Sequence, residues 1–330
     1  MTTDIRRYSM ASDSLQNLST SQLNAIKRSF EERMRELVTD YAEGADLLSA
    51  SIRAATLGAG KRLRPLLMIV IAQDLGCSSP ALVDVACAVE LVHASSLVLD
   101  DLPCMDDAKL RRGVPAIHVT YGQDVAILAS IALLSRAFRI LSNAEDLAPL
   151  VRISLVGALS EAIGTQGLAK GQFQDLHGDV ARRVDDIALT NELKTGALLG
   201  ATVEMAAIIA KSDARVAQSL RAFASAAGQA FQIRDDLKDL PGNDSAATGK
   251  DVGLDAGKAT LLTTLGIDEA QRRLRQHLQE AECHLGDAVG EQQGTRHLLR
   301  SFFSDSLPAP STSRERRQTA PCVSADALGC

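Results

Sequence analysis

Five long segments of this 330-residue chain are apolar around most of their circumference when placed at helical spacing. Helices with that pattern are typical of a protein core rather than a surface. Strand signals are scarce, because alternating β-branched runs are few and no Asn-Gly or Asp-Gly turn separates apolar segments. The sequence therefore predicts an all-α, single-domain bundle of about ten or more helices. The five segments are residues 81–99, 125–141, 150–164, 192–210 and 219–237.

Composition supports a folded chain and excludes some partners. Apolar residues make up 46% of the sequence, which is enough to bury a substantial core, and the net charge is −6. A net negative charge argues against nucleic acid or an anionic membrane as the main partner. The six cysteines form no CxxC pair, and we expect free thiols in a cytoplasmic protein. No uncharged apolar run reaches the roughly 18 residues of a membrane span, so no transmembrane segment is predicted.

The two ends of the chain differ from the middle in composition. Residues 1–20 are polar and weakly patterned, and residues 305–330 are rich in Pro, Ser and charge. Segments of that composition are typically mobile. The predicted organisation is a mobile N-terminal segment (1–20), one helical domain (21–304) and a mobile C-terminal tail (305–330).

The stretch SSLVLDDLPCMDDAKLRRG places four aspartates directly after an apolar helix. Asp100 and Asp101 close that helix, and Pro103 opposes its regular continuation. We expect a turn that folds Asp106 back beside Asp100. Carboxylates this close raise each other's pKa, so the cluster needs a positive partner.

A second acidic cluster, FQIRDDLKD, contains Asp235, Asp236 and Asp239. Asp235 and Asp239 share a helix face, and Gln232 lies one turn before Asp236. Carboxylates that keep several waters and hold a phosphorylated ligand are the usual magnesium site of proteins. Either cluster alone is also compatible with a solvated helix end. Two clusters, each after an apolar helix, favour magnesium.

Basic residues accompany both acidic clusters. One group starts an apolar helix in GAGKRLRPLL, where free backbone N–H groups and nearby cations attract phosphate. Another group follows the first acidic cluster, and arginine forks suit diphosphate oxygens. These residues are Lys61, Arg62, Arg64, Arg111 and Arg112.

Further polar residues stand inside apolar segments or in a polar Gly-rich stretch. His93 lies in VELVHASSL, and Lys194 and Thr195 lie in ELKTGALLGA. Each of these also has a structural interpretation, as a hydrogen-bonded core histidine or a lysine whose stem is buried. Lys250 and Lys258 lie in TGKDVGLDAGKAT, which is either an anion-binding segment or a simple loop. Acids for a metal and bases for phosphate, taken together, predict two diphosphates bridged by magnesium.

With these motifs in order, the sequence resembles the trans-isoprenyl diphosphate synthases, and most closely the bacterial geranylgeranyl diphosphate synthases of carotenoid pathways. The resemblance covers about Leu57 to Phe303. It rests on GKRLRP, the lone His93, DDLPCMD with LRRG, GQFQDL, KTGALL, FQIRDDLKD and the two later lysines. It implies the isoprenoid-synthase bundle around a central cavity, usually a homodimer. It also implies two substrates, isopentenyl diphosphate and an allylic prenyl diphosphate, and three magnesium ions.

The resemblance also implies a role for each matching residue. The ligands of magnesium would be Asp100, Asp101, Asp106, Asp235, Asp236 and Asp239. The contacts to the allylic diphosphate would be Arg111, Lys194, Thr195, Gln232, Lys250 and Lys258. The contacts to isopentenyl diphosphate would be Gly60, Lys61, Arg64, His93 and Arg112. Gln172 and Asp175 of GQFQDL would support the metal site.

Product length is a steric question in this family. Farnesyl-forming members carry a bulky aromatic residue just before the first aspartate motif, whereas this chain has Ser95 and Ser96 there. Two small residues, with the two-residue insertion of the bacterial motif, favour a C20 product. The alternatives are that the serines simply pack helix on helix, or that the product is farnesyl or a longer diphosphate.

Two other functions are weighed against this one. A class I terpene cyclase shares the bundle and a DDxxD motif but has no need of GKRLRP, since it binds one diphosphate. An inactive regulatory partner of a related synthase is expected to have lost one aspartate motif, and both are present here.

Overall fold

The computed structural model describes residues 20–39, 46–178, 184–238 and 266–304. The predicted mobile tail (305–330) and residues 1–19 of the predicted mobile N-terminal segment (1–20) lie outside these ranges, whereas Thr20 begins the first helix. Within them the chain is an all-α bundle, as predicted. Its helices are α1 Thr20–Thr39, α2 Leu47–Leu57, α3 Leu63–Asp74, α4 Leu82–Asp100, α5 Ile117–Tyr121, α6 Gln123–Ser142, α7 Pro149–Ile163, α8 Leu168–His177, α9 Val184–Asn191, α10 Ala197–Ile209, α11 Ala214–Lys238, α12 Ile267–Val289 and α13 Gly294–Phe303.

Helix α4 is the centre of the bundle. It packs against α1, α3, α6 and α10, and its side chains are buried on nearly every side. That burial explains why α4 lacks an amphipathic pattern, because no continuous face of the helix is exposed to solvent. Its buried residues join one large core with those of α3, α10 and α11. The C-terminal end of α4 carries Asp100, and α11 ends shortly after Asp235 and Asp236.

Two irregular elements were not predicted from the sequence. A short antiparallel hairpin pairs β1 (Leu110–Arg111) with β2 (Val114–Pro115). Its turn uses Arg112 and Gly113, both with positive φ (55° and 80°), as a two-residue hairpin requires. A π-helical turn, Glu192–Gly196, joins α9 to α10. Lys194 and Thr195 therefore lie on a π turn rather than inside a regular helix, and such turns are frequent at functional sites.

One of the sequence predictions about chain chemistry needs correction, and another is not contradicted. Helices α4 and α6 are long and apolar enough to cross a membrane by length and composition, but each contains charged residues, so the expectation that no uncharged apolar run reaches about 18 residues is not contradicted. Of the apolar window of α4, 67% is buried within the bundle, as in an ordinary core helix. The expectation of free thiols holds for Cys77, Cys87 and Cys104, whereas Cys283 is disulfide-bonded. A disulfide depends on the approach of two chain segments, which spacing in the sequence does not reveal.

Candidate active site

The first aspartate cluster folds as a tight turn at the end of α4. The backbone N–H of Asp106 donates to the carbonyl of Asp100 at 2.9 Å, so the predicted return of Asp106 to Asp100 is confirmed. The N–H groups of Met105 and Asp107 both donate to the carbonyl of Leu102, which closes the turn around Pro103. The end of the helix and the turn that follows it therefore bring Asp106 back beside Asp100.

Burial of this cluster has an electrostatic cost. Burial raises the pKa of Asp100 from 3.8 to about 6; nearby Asp106 adds to the rise and Lys194 opposes it. The shift arises mainly because burial removes water from the charged carboxylate and so destabilises its ionised form. A cation bound there would stabilise that ionised form.

Asp101 and Arg111 contact each other. Arg111 Nε donates to Asp101 Oδ1 at 2.9 Å and to Oδ2 at 3.1 Å, and Asp101 is only 2% exposed. Burial raises the pKa of Asp101, and the Arg111 hydrogen bond limits that rise. The sequence predicted separate partners for the two residues, a metal for Asp101 and a diphosphate for Arg111. The hairpin instead turns Arg111 back onto α4 and joins them.

A chain of polar contacts connects the two aspartate clusters. Lys194 Nζ lies 3.7 Å from Asp106 Oδ2 in the first cluster. The next residue, Thr195, donates its hydroxyl to Gln232 Oε1 at 3.2 Å. Gln232 Nε2 in turn donates to Asp236 Oδ1 in the second cluster at 2.8 Å. The π turn thus stands between the end of α4 and the end of α11, and the two clusters face one site.

The GQFQDL segment of α8 supports the π turn from outside. Asp175 Oδ2 accepts from Lys194 Nζ at 2.7 Å. Gly171 allows this approach, because a Cβ at that position would overlap the backbone nitrogen of Lys194. Gln172 is 8% exposed, and neither of its amide atoms has a partner in the part of the chain that the structure describes. Asp175 therefore holds the lysine, and a buried amide without a partner among the described residues lies one helical turn before Asp175.

The arginines of GKRLRP contact α4 about two to three helical turns before Asp100. Arg64 Nη1 is 3.5 Å from His93 Nε2, on the same helix as Asp100 and nearer its start. Gly60 faces Arg112, since a Cβ built on Gly60 would lie 2.7 Å from Arg112 Nη1. Burial lowers the pKa of His93 well below 6.5, and the charge of Arg64 lowers it further. The imidazole is therefore neutral at pH 7, among several guanidinium groups.

Lys61 and Arg234 share an aromatic support that sequence reasoning missed. Arg234 is 2% exposed and its guanidinium carbon lies 4.2 Å from the centre of the Phe302 ring, while Lys61 Nζ lies 5.1 Å from the same centre. Burial lowers the pKa of Lys61, as do the nearby charges of Arg234 and Lys238. The FQIRDD motif and the C-terminal helix thus contribute to the cationic side of the site.

Several predicted site residues either make no side-chain hydrogen bond to the aspartate clusters or the basic group among the described residues, or lie outside the described ranges. Ser95 is fully buried, and its hydroxyl donates to the Ser130 carbonyl of α6 at 3.0 Å. The contact of Ser95 therefore agrees with the alternative that this serine packs helix on helix. Ser96 is partly exposed, and its hydroxyl donates to the His93 carbonyl. The predicted site residues outside the described ranges are Asp239, Lys250 and Lys258.

A cavity of 410 Å³ opens beside Gln232, between α7, the π turn, α10 and α11. Small residues such as Gly200 and Gly228 form part of its wall. Its lining includes neither Ser95 nor Ser96, so it is separate from the tail-binding space that the sequence placed along α4.

The donor set fits magnesium. Among the described residues no three His, Cys, Asp or Glu side chains converge to enclose a metal ion. Magnesium does not need such a cage, because it keeps several waters and is held by one or two carboxylates together with substrate phosphates. Asp100 and Asp106 on one side, and Asp236 on the other, supply hard oxygen ligands of that kind.

The raised pKa of Asp100 gives a prediction for the protein without metal. Its folded pKa of about 6 exceeds the ordinary 3.8, so its contribution to stability is present below pH 4 and is lost as the pH rises through 6. We expect Asp100→Asn to raise the free energy of unfolding by up to about 3 kcal/mol at pH 8, and by almost nothing at pH 4. Urea unfolding in EDTA at both pH values measures it. Equal stabilities at pH 8 would contradict it.

Fold and site together define a class of protein: a helical-bundle enzyme that handles diphosphates with a divalent metal between two aspartate-bearing helix ends. Residues 45–290 match the family model described as polyprenyl synthetase. The chain belongs to the polyprenyl synthetase family, and magnesium use is general in that family.

Individual relatives agree with this assignment. The chain is 45% identical over 298 residues to a geranylgeranyl diphosphate synthase of Pantoea ananas, covering 89% of this chain and 97% of the relative. It is 35% identical over 275 residues to a farnesyl diphosphate synthase of Bacillus subtilis, covering 82% and 92%. A Helicobacter pylori geranyltransferase structure, described as complexed with magnesium and isoprenyl diphosphate, aligns with a TM-score of 0.72 at 28% identity, covering 84% and 97%.

Proposed function

We propose that this chain is a geranylgeranyl diphosphate synthase, which condenses isopentenyl diphosphate with an allylic diphosphate to give a C20 product. The observation that carries this is the polar chain from Asp106 through Lys194, Thr195 and Gln232 to Asp236. It sets two carboxylate clusters around one position, with a separate group of cations about two to three helical turns earlier along α4. One site for a metal-bound diphosphate and a second for a metal-free one is the requirement of this reaction.

The allylic diphosphate is assigned to the carboxylate side. Its magnesium ions, three by analogy with the family, would be held by Asp100, Asp106, Asp235 and Asp236, with Asp239 added from the motif. Bound magnesium neutralises the negative charge that grows on the departing diphosphate. The residues assigned to the diphosphate itself are Arg111, Lys194, Thr195, Gln232, Lys250 and Lys258. Asp101 is assigned to orient Arg111 as well as to the acidic cluster, because Arg111 Nε and Nη2 both donate to its carboxylate and so fix the guanidinium.

Isopentenyl diphosphate is assigned to the cationic side. Its diphosphate is bound by Gly60, Lys61, Arg64, His93 and Arg112. His93 serves there as a neutral hydrogen-bonding group, since burial holds its pKa well below 6.5. The arginines supply planar forks that match diphosphate oxygens.

The chemistry follows from the charges. The carbon–oxygen bond of the allylic substrate breaks as Lys194 and Arg111 stabilise the leaving diphosphate. The apolar helices around the site exclude water from the allylic cation. The double bond of isopentenyl diphosphate attacks that cation, a new carbon–carbon bond forms, and the released diphosphate takes the proton that is lost. Holding both substrates in register contributes several kcal/mol.

A C20 product is favoured over a C15 product by two observations. Identity is higher to bacterial geranylgeranyl diphosphate synthases (45% and 43%) than to farnesyl diphosphate synthases of Bacillus subtilis (35%) and Escherichia coli (41%). The residues before the first aspartate motif are also small, as Ser95 and Ser96. Of these two, Ser96 retains exposed surface in the structure, so it is the residue assigned to face the growing chain.

We expect Ser96→Phe to shorten the main product from C20 to C15, because an aromatic ring one turn before Asp100 occupies the path of the tail. Ser95→Phe is expected instead to destabilise the fold by about 1–3 kcal/mol, because Ser95 is fully buried against α6. Product sizing after dephosphorylation measures the first effect, with Ser96→Ala as the control of unchanged length. A C20 product from folded Ser96→Phe would show that residues other than Ser96 limit the length of the product.

We also propose a cytoplasmic homodimer that serves isoprenoid and carotenoid synthesis. The dimer is supported by exposed apolar residues on two helices that contact each other, α6 and α7. Large exposed apolar patches are rare on monomeric proteins and commonly mark protein–protein contacts. The residues concerned are Ile127 (42% exposed), Leu128 (53%), Ile131 (58%), Leu150 (77%) and Ile153 (66%).

One assay tests the proposed function against its alternatives. The purified chain is incubated with radiolabelled isopentenyl diphosphate, magnesium and each of the C5, C10 and C15 allylic starters, and the products are sized. Synthesis of a C20 diphosphate that requires isopentenyl diphosphate is the expected result. Product formation from an allylic diphosphate alone indicates a cyclase, and no turnover by the purified chain indicates a regulatory subunit.

A further inference from the structure

Arg62 is the basic residue of the GKRLRP motif that turns inward. It precedes α3 in the left-handed backbone region (φ 52°) and is only 6% exposed. Its Nη2 donates to the carbonyls of Thr56 at 2.8 Å and Gly58 at 2.6 Å. The guanidinium of Arg62 therefore holds the loop between α2 and α3 in place. This loop carries Gly60 and Lys61.

Glu90 completes this arrangement from α4. Arg62 Nη1 donates to Glu90 Oε1 at 2.9 Å, with both side chains almost fully buried (5% and 3% exposed). Glu90 lies three residues before His93, so it shares a face of α4 with it. The ion pair thus ties the loop to the helix that carries both His93 and Asp100.

Glu90 also balances several cations. Its charge acts on Arg64 and Arg112 and opposes the lowering of the pKa that burial imposes on both. Arg62 itself repels Arg112. Guanidinium groups gathered in a partly buried region repel one another unless an anion lies among them.

We propose that the Arg62–Glu90 pair is a positioning device that keeps the cationic site for isopentenyl diphosphate assembled before that substrate binds. The inference rests on the proposed function and assigns roles to two residues that do not contact the substrate. Glu90 supplies the counter-charge, and Arg62 holds the loop by its two carbonyl contacts. A preassembled site binds its diphosphate without first ordering a loop, and so lowers the KM for that substrate.

The test compares steady-state kinetics of Glu90→Gln and Arg62→Lys with wild type, varying each substrate in turn. We expect the KM for isopentenyl diphosphate to rise about tenfold or more, with the KM for the allylic substrate nearly unchanged. Glu90→Asp, which keeps the charge, is expected to recover part of the loss. Calorimetric titration of isopentenyl diphosphate alone, without magnesium, provides a second readout that is independent of turnover.

The matched control is Arg33→Gln, which breaks another ion pair of α4 at its opposite end. Arg33 Nε donates to Asp84 Oδ1 at 2.6 Å and Nη2 to Oδ2 at 3.0 Å, far along α4 from the site. This variant is expected to leave both KM values unchanged. If Glu90→Gln does not fold, Arg62→Lys, which keeps the positive charge, tests the positioning role by itself.

An unchanged KM for isopentenyl diphosphate in a folded Arg62→Lys or Glu90→Gln protein would overturn the inference. Equal changes in both KM values and in kcat would also overturn it, because they indicate a general structural role. Absence of turnover in wild type would refute the proposed function instead. In that case, unchanged calorimetric affinity for isopentenyl diphosphate in both variants would still refute the positioning role separately.

Discussion

Asparagine in place of Asp100 or Asp235 is expected to lower kcat by about 10²–10³-fold or more, a typical loss when one charge-stabilising group of a transition state is removed. The two residues belong to different clusters, yet both effects should be large, because the metal-bound diphosphate needs ligands from both sides. Asparagine keeps the shape of the side chain and removes its negative charge. The helical fold is expected to survive, as judged by circular dichroism.

Asp107→Asn is the matched control for this experiment. Asp107 lies in the same turn as Asp106 but is exposed and pairs with Lys109 at 2.6 Å. Asparagine also tolerates its left-handed backbone (φ 48°). We expect near-wild-type kcat from this variant. Near-full magnesium-dependent activity of Asp100→Asn or Asp235→Asn would refute the role of the corresponding cluster.

Lys194→Met is expected to lower kcat by about 10²-fold or more, since a cation at the departing diphosphate is lost while the carboxylates remain. Lys194 Nζ lies 2.7 Å from Asp175 Oδ2 and 3.7 Å from Asp106 Oδ2. Its charge also lowers the pKa of Asp100, so its removal raises that pKa above about 6. The acid limb of the pH–rate profile should therefore move to higher pH.

The control for Lys194 is Lys109→Met, which removes an exposed lysine from its pair with Asp107. It is expected to change neither kcat nor the pH profile. Steady-state kinetics from pH 5 to pH 9 measures both properties. An unshifted acid limb in Lys194→Met would show that the lysine does not influence Asp100, whatever the change in kcat.

Much of the site could be predicted because its chemistry is local in the sequence. Pro103 opposes continuation of the helix whatever the tertiary structure, so the return of Asp106 to Asp100 follows from a few neighbouring residues. Gln232 and Asp236 lie one helical turn apart, and their contact follows from helix geometry. The place of Lys61 and Arg64 at the start of α3 follows in the same way from the apolar pattern behind them.

Other contacts could not be predicted because they join residues far apart in the chain. The pairing of Asp101 with Arg111 depends on the hairpin at Arg112 and Gly113, for which the sequence carries no Asn-Gly or Asp-Gly signal. Phe302 contacts Arg234 and Lys61 only because α13 packs on α3. Glu90 had one signal, a charged residue in the middle of an apolar helix, but nothing in the sequence named its partner.

The sequence alone determined that this protein is a helical bundle and which residues carry acid and base, because helical periodicity and chain breaks are properties of short segments. The tertiary structure alone decided which charges neutralise one another and which remain for a ligand. That choice depends on the distances between packed helices. The sequence does not distinguish Asp101, which is buried against Arg111, from Asp100, whose pKa burial raises to about 6.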